Sequence, residues 1–180
     1  MEKPIPVIGL AGYSGSGKTT FLEKLITELK RRGYRLGVIK HTHHKDTRRP
    51  NPAGAAVEVL AAPDGVFMFR EFETEPPPEK VISMLDGVDL ILIEGYKQGR
   101  WPKLAIFRHG VTERPAIDPE DLLAEISDVS SGSAAPHFSL DDAAGVADLL
   151  ERVILKMKKN LRANTPVKQK WVRIHARQDP

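Results

Sequence analysis

The run Gly12-Tyr13-Ser14-Gly15-Ser16-Gly17-Lys18-Thr19 constrains this chain more than any other feature, because it fits G-x-x-x-x-G-K-[ST] in full. Its context fits as well. Ile5, Val7, Ile8 and Leu10 before it read as a short buried strand over Pro4 to Leu10. From Thr19 the period changes: Phe21, Leu22, Leu25, Ile26 and Leu29 recur at helical spacing, with polar residues on the other face. Gly33 stops that helix after Lys30-Arg31-Arg32, and Arg35 to Lys40 reads as a second strand. Strand, glycine loop, helix and strand make a βαβ unit, which implies a mostly parallel sheet with a right-handed crossover. Glycines let successive backbone N–H groups turn inward around a phosphate, and the helix that follows adds the positive end of its dipole. Lys18 is placed to reach the β- and γ-phosphates, and the Thr19 hydroxyl to ligate Mg²⁺. The chain is therefore expected to bind a nucleoside triphosphate or a similar polyphosphate.

The rest of the chain supports one α/β domain over about residues 1–160, followed by a tail at 161–180. Val88 to Ile93 is the best strand, almost all apolar, as a strand buried on both faces should be. Val66 to Phe69 and Leu104 to Arg108 read as further strands, and Leu122 to Ser127 fits strand or helix. A short helix is expected over 54–61, another over Glu79 to Leu85 after Pro76-Pro77-Pro78, and an amphipathic one from Ser139-Leu140-Asp141-Asp142 to about Lys159. Residues 151–180 hold nine Lys/Arg against two acids, a net +7, so the other 150 residues carry −4 of the overall +3. A nucleic-acid reading would rest on that tail alone, and none is expected. The longest aliphatic run, Leu90 to Ile93, is four residues, whereas a membrane-spanning helix needs about 20. No secretory signal is read at the N-terminus, and the absence of cysteine excludes disulfides and thiolate metal sites. A cytoplasmic protein is expected.

Three further groups carry chemistry. Glu94-Gly95 ends the long strand beside the phosphate loop. An acid there suits the second position of a metal site, or the orienting of a water, and the Gly95 N–H suits a γ-phosphate. Asp89, at the start of the same strand, lies on the wrong edge of the sheet. Lys40-His41-Thr42-His43-His44-Lys45 follows the second strand and so belongs at the ligand-binding edge. Lys40, His41 and His43 compete between holding an anion, binding Zn²⁺ or Ni²⁺, and being a solvated loop. The guanine-reading Asn-Lys-x-Asp tetrad is absent, which leaves Asp128, in Ile126-Ser127-Asp128-Val129, as the candidate base reader or as a turn-forming residue. Trp101, Trp171 and the methionines fit packing better than a cofactor role.

The phosphate loop, then Val38-Ile39-Lys40-His41-Thr42-His43-His44, Asp89-Leu90-Ile91-Leu92-Ile93-Glu94-Gly95-Tyr96-Lys97, Lys103 to Arg108 and Ile126 to Val129 occur in this order. Together they resemble the molybdopterin-guanine dinucleotide biosynthesis protein B (MobB) family over about residues 5–155. The resemblance implies a three-layer P-loop NTPase fold and a homodimer that binds GTP with Mg²⁺ and hydrolyses it weakly. It implies an accessory role beside the guanylyltransferase that joins GMP to molybdopterin. Carried over by position, Ser14, Gly15, Ser16, Gly17, Lys18, Thr19 and Thr20 would hold the phosphates, Thr19 and Glu94 the magnesium, and Lys40 with the histidines a neighbouring anion. The chain departs from the family after the histidines. Where an acidic stretch and a Lys-Pro-Gly-Lys-Asp-Ser-like segment usually form the nucleotide-sensing loop, Lys45 to Pro52 is shorter and basic. Two other classes fit parts of the pattern: an accessory GTPase that delivers nickel, which would use the histidines, and a small-molecule kinase, for which only Arg48, Arg49 and Arg100 are loosely placed.

Overall fold

The computed structural model describes residues 5–42 and 55–162, with side chains of the last helix described to residue 154. Residues 1–4, 43–54 (His43 among them) and 163–180 lie outside the described residues. The strands are β1 (Val7–Ala11), β2 (Leu36–Lys40), β3 (Val57–Ala62), β4 (Gly65–Arg70), β5 (Leu90–Glu94), β6 (Lys103–Ile106), β7 (Leu122–Ile126) and β8 (His137–Phe138). The helices are α1 (Lys18–Arg31), α2 (Pro78–Ile82) and α3 (Ala143–Arg162). Six strands form one sheet in the order β2-β5-β1-β6-β7-β8, and all its pairings are parallel.

Alternation along the strands builds two cores. Ile8, Leu10, Leu90, Leu92, Leu104, Ile106, Ala124 and Ile126 face α1 and α3, whose Phe21, Leu25, Leu29, Val146, Ala147 and Leu150 close over them. Each Val, Leu, Ile or Phe among them stabilises the fold by about 1.5–3 kcal/mol relative to exposure. Val7, Ile39, Ile91 and Ile93 face the other way, onto Ile82 of α2 and Trp101. β5 feeds both cores and is buried along its whole length, as its continuous apolar sequence requires. The result is the expected three-layer α/β architecture.

An ion network locks α1 to α3. Arg32 bonds Glu28 on its own side and Asp148 and Glu151 across the helix pair, at 2.7, 2.6 and 3.0 Å. The short helix expected over 54–61 is instead β3, which pairs antiparallel with β4 in a separate two-stranded hairpin. The Pro63-Asp64 turn explains the difference. It joins two apolar runs by two residues, and cross-strand pairing overrides the helix preference of the alanines. The ambiguous segment at 122–127 is strand β7, because its slot beside β6 needs an extended partner.

Candidate functional site

The topology places β1 between β5 and β6, so the loop leaving β1 lies between the carboxyl ends of both neighbours. Glu94 ends β5 on one side, and Arg108 follows β6 on the other. The loop is pressed against β6: a Cβ on Gly12 would lie 2.3 Å from the Ile106 carbonyl oxygen and 2.7 Å from Ser16 Oγ. Ser14 and Gly15 are exposed at the crest, while Ser16 is fully buried beneath it with no hydrogen-bond partner for its hydroxyl. Gly17 caps α1 in the left-handed conformation (φ 91°), and the first bond of the helix runs from Phe21 N–H to Gly17 O at 2.9 Å. The N–H groups of Lys18, Thr19 and Thr20 precede that bond and have no partner within the helix, as for any helix start.

Lys18 reaches back over the loop, its Nζ donating to Tyr13 O at 2.8 Å. Its pKa is lowered: burial is the main cause, Lys40 and Lys97 add to it, and Glu94 opposes it. A cluster of cations thus surrounds one end of the loop with a single acid among them, an arrangement that favours an anion. Register puts Leu10, Glu94 and Lys40 in one row across the sheet. Glu94 is 9% exposed; its Oε2 is buried, lacks a hydrogen-bond partner, and lies 3.5 Å from Lys40 Nζ. That orphan oxygen is a hard donor of the kind Mg²⁺ takes, and Thr19, exposed in the first turn of α1, carries another.

His41 is held rather than free. Tyr96 N–H approaches its Nδ1 at 3.5 Å, which leaves Nε2 to donate to Glu75 Oε1 at 2.7 Å. Its ring stacks on Tyr96 with centroids 4.0 Å apart. Both nitrogens are therefore engaged, and among the described residues no group of three or more His, Asp or Glu is gathered as a metal site. Gly95 packs against this residue: its φ is +103°, and an added Cβ would meet His41 Cβ at 2.7 Å. Only glycine fits, and the next residue, Tyr96, also has a positive φ of 44°.

On the far side of the loop a pocket of about 250 Å³ is lined by Gly17, Thr20, Lys24, Arg108, Asp128 and Asp141 with Phe21 and Leu140. Asp128 stands at its rim, and its Oδ1 accepts the His109 N–H at 2.8 Å, so Oδ2 is the oxygen not bound to that amide. Lys24 pairs with Asp141 at 2.6 Å, which holds the Asp141 carboxyl below its usual range. Sequence spacing alone gives Arg108 no functional role. Its relation to the loop is set by β6 lying next to β1, which no local spacing reveals.

A parallel sheet, a glycine loop at its carboxyl edge, a lysine on the loop and an acid at the end of the adjacent strand define the P-loop NTPase class. Within that class the match is specific. Residues 7–128 fit the family model described as "Molybdopterin guanine dinucleotide synthesis protein B", and the chain belongs to that family. A relative from Haemophilus influenzae, a molybdopterin-guanine dinucleotide biosynthesis adapter protein, is 40% identical over 162 residues, covering 84% of this chain and 90% of its own. The Escherichia coli adapter protein of the same name is 36% identical over 160 residues, covering 81% and 91%. The crystal structure of a MobB homologue from Bacillus stearothermophilus superposes with a TM-score of 0.64 at 25% identity, covering 83% of this chain and 98% of that one. Like its relatives, the chain is an adapter protein of molybdopterin-guanine dinucleotide biosynthesis. No helix among the described residues is long and apolar enough to cross a membrane.

Proposed function

We propose that this protein binds GTP with Mg²⁺ at the phosphate loop and acts as a nucleotide-dependent homodimeric adapter. Its partner would be the guanylyltransferase that attaches GMP to molybdopterin. The observation that carries the reading is the loop between Glu94 and Arg108, with Lys18 on it and a buried Ser16 hydroxyl beneath it. In this reading the N–H groups from Gly15 to Thr20 hold phosphate oxygens, and Ser14 at the crest contributes its own. Lys18 leaves the Tyr13 carbonyl for the β- and γ-phosphates. Thr19 and Glu94 hold the magnesium, which when bound neutralises charge on the phosphates. Lys40 neutralises Glu94 until then, and the Gly95 N–H faces the γ-phosphate. His41 acts through Tyr96, as the support of that turn and not as a metal ligand. Asp128 reads the base with Oδ2.

Hydrolysis by the lone protein is slow in this reading. Glu94 is occupied with the metal and Lys40, and Glu75, an acid that acts on Tyr96 beside Gly95, is bonded to His41. A partner that supplies an arginine can raise such a rate by about 10³–10⁵. The homodimer is supported by the β3–β4 hairpin. Leu60 and Phe67 on one face and Val59 and Met68 on the other are all exposed. A lone two-stranded hairpin is marginal in water, and apolar faces of this size need covering.

The test is calorimetric titration with GTP and ATP, each with and without Mg²⁺, followed by single-turnover hydrolysis alone and with the transferase. Tighter, magnesium-dependent GTP binding with slow hydrolysis that the transferase accelerates is expected. Preference for ATP, or turnover of about 1 s⁻¹ or faster by the lone protein as in ordinary kinases, would replace the adapter reading with a kinase.

A further inference from the structure

We propose that Arg108 is the second phosphate-binding cation of this site, contacting the nucleotide at the α- and β-phosphates where the chain turns toward the nucleoside. The proposal rests on the nucleotide reading above and adds a residue that the loop motif does not contain.

The argument starts from placement. β1 has β5 on one side and β6 on the other, so the two ends of the phosphate loop face different neighbours. The cations gathered with Glu94 (Lys18, Lys40 and Lys97) lie on the β5 side. Arg108 follows β6 on the opposite side. Its Nη2 is 3.3 Å and its Nε 3.5 Å from where a Cβ would stand on Gly17, so the planar guanidinium lies along the first turn of α1. With Gly17 and Thr20 it lines the 250 Å³ pocket, which extends from the loop toward Lys24, Asp128 and Leu140. The metal-side cluster marks the γ-phosphate end, and the pocket is the space left for the nucleoside. Arg108 lines that pocket beside Gly17, where the loop passes into α1.

The electrostatics of the ligand-free protein point the same way. Among the described residues, no hydrogen bond from the Arg108 guanidinium to a protein acceptor is formed; the bonds of this residue are those of its backbone, whose N–H donates to Thr112 Oγ1 at 3.0 Å and whose carbonyl accepts from Thr112 N–H at 2.9 Å. Asp141, an acid of the same pocket, is bonded to Lys24; the Arg108 charge reaches its carboxylate only at longer range, without a hydrogen bond. A cation beside the positive end of a helix is unfavourable unless an anion lies between them. A phosphate does this for both: the helix N–H groups bind one set of oxygens, and the guanidinium fork binds two more. The fork also explains why an arginine suits the place better than a lysine, since two parallel N–H donors can span oxygens of neighbouring phosphates. Thr112 and the Asp128 carboxylate, which holds the His109 N–H, fix the backbone on which Arg108 stands.

Contact at the α- and β-phosphates has a distinctive consequence. GDP and GTP share those groups, so loss of Arg108 weakens both by the same factor. A residue directed at the γ-phosphate would affect GTP alone. The experiment is titration of GDP and of GTP with Mg²⁺ into the full-length wild type, Arg108→Ala and Arg108→Lys, with thermal melts to establish folding. Arg108→Ala is expected to lose about 10- to 100-fold in affinity for each nucleotide, the range of a charge-assisted hydrogen bond. Arg108→Lys is expected to recover part of that loss for both. An alanine variant that binds both nucleotides like wild type overturns the assignment, and so does one that loses GTP but keeps GDP. Wild-type protein that binds neither nucleotide overturns the nucleotide reading itself. Should Arg108→Ala fail to fold, Arg108→Gln, which keeps the length of the side chain without its charge, decides by the same comparison.

Discussion

Replacing Gly12 by alanine tests how the loop is held. The added Cβ would sit 2.3 Å from the Ile106 carbonyl oxygen, against an ordinary contact of 3.4 Å or more, so about 1 Å must be found. Ile106 cannot supply it, because it is fully buried, pairs with Ile126 of β7, and ends a strand whose preceding residues pair with β1. Ser16 Oγ, at 2.7 Å, blocks the other direction. The loop must therefore lift. Overpacking of this kind costs about 1–3 kcal/mol, which for a chain of this size lowers the melting temperature by roughly 2–12 °C. Lifting also carries the N–H groups of residues 15 to 20 out of position, and a 1 Å misplacement is worth about 100-fold at a preorganised site. Thermal melts and GTP titration of Gly12→Ala read both effects. Gly15→Ala is the control: an added Cβ meets nothing within 4 Å there, and only the positive φ of 81° is strained. Gly12→Ala that melts and binds like wild type would refute the packing argument.

Other expectations concern the base, the helices and the hairpin. Asp128→Asn should weaken GTP by at least tenfold more than ATP in parallel titrations, since the amide turns an acceptor into a mismatched donor; equal losses would remove Asp128 as base reader. The Glu28 carboxyl is lowered to about 2 by hydrogen bonds from Arg31 and Arg32. A depressed folded pKa gives stability that is present above the unfolded value near 4.5 and is lost as pH falls toward 2. Melts of Glu28→Gln across pH 2–6 should therefore fall less steeply than wild type, and parallel curves would contradict the network's role. If the proposed homodimer forms through the hairpin, the wild type should have a dimer's mass by light scattering and Phe67→Glu a monomer's; a monomeric wild type would overturn the dimer, and a dimeric Phe67→Glu the hairpin interface.

What the sequence made legible follows from the range of the forces involved. The phosphate loop, α1 and the central strands declare themselves through local period and glycine spacing, and the structure has them within a few residues. Glu94 was readable because it ends the most apolar strand. The helix expected over 54–61 is strand β3, because its alanines favour helix only locally whereas its pairing with β4 acts across the Pro63-Asp64 turn. Arg108 gives no local signal at all; its position depends on β6 lying beside β1, a neighbour more than 90 residues earlier. His41 stood out as a possible metal ligand, yet its nitrogens are spent on Glu75 and Tyr96, partners far away in sequence.

The central claim is that the loop around Lys18 binds a triphosphate, and calorimetric titration of GTP with Mg²⁺ into wild type and Lys18→Ala tests it most directly. The ammonium's bond in this structure goes to Tyr13 O on the surface of the loop, so its removal leaves no buried hole. The account expects a folded variant with the wild-type melting temperature, to within about 2 °C, and no measurable GTP binding at concentrations that saturate wild type. A folded Lys18→Ala protein that binds GTP with undiminished affinity would contradict it.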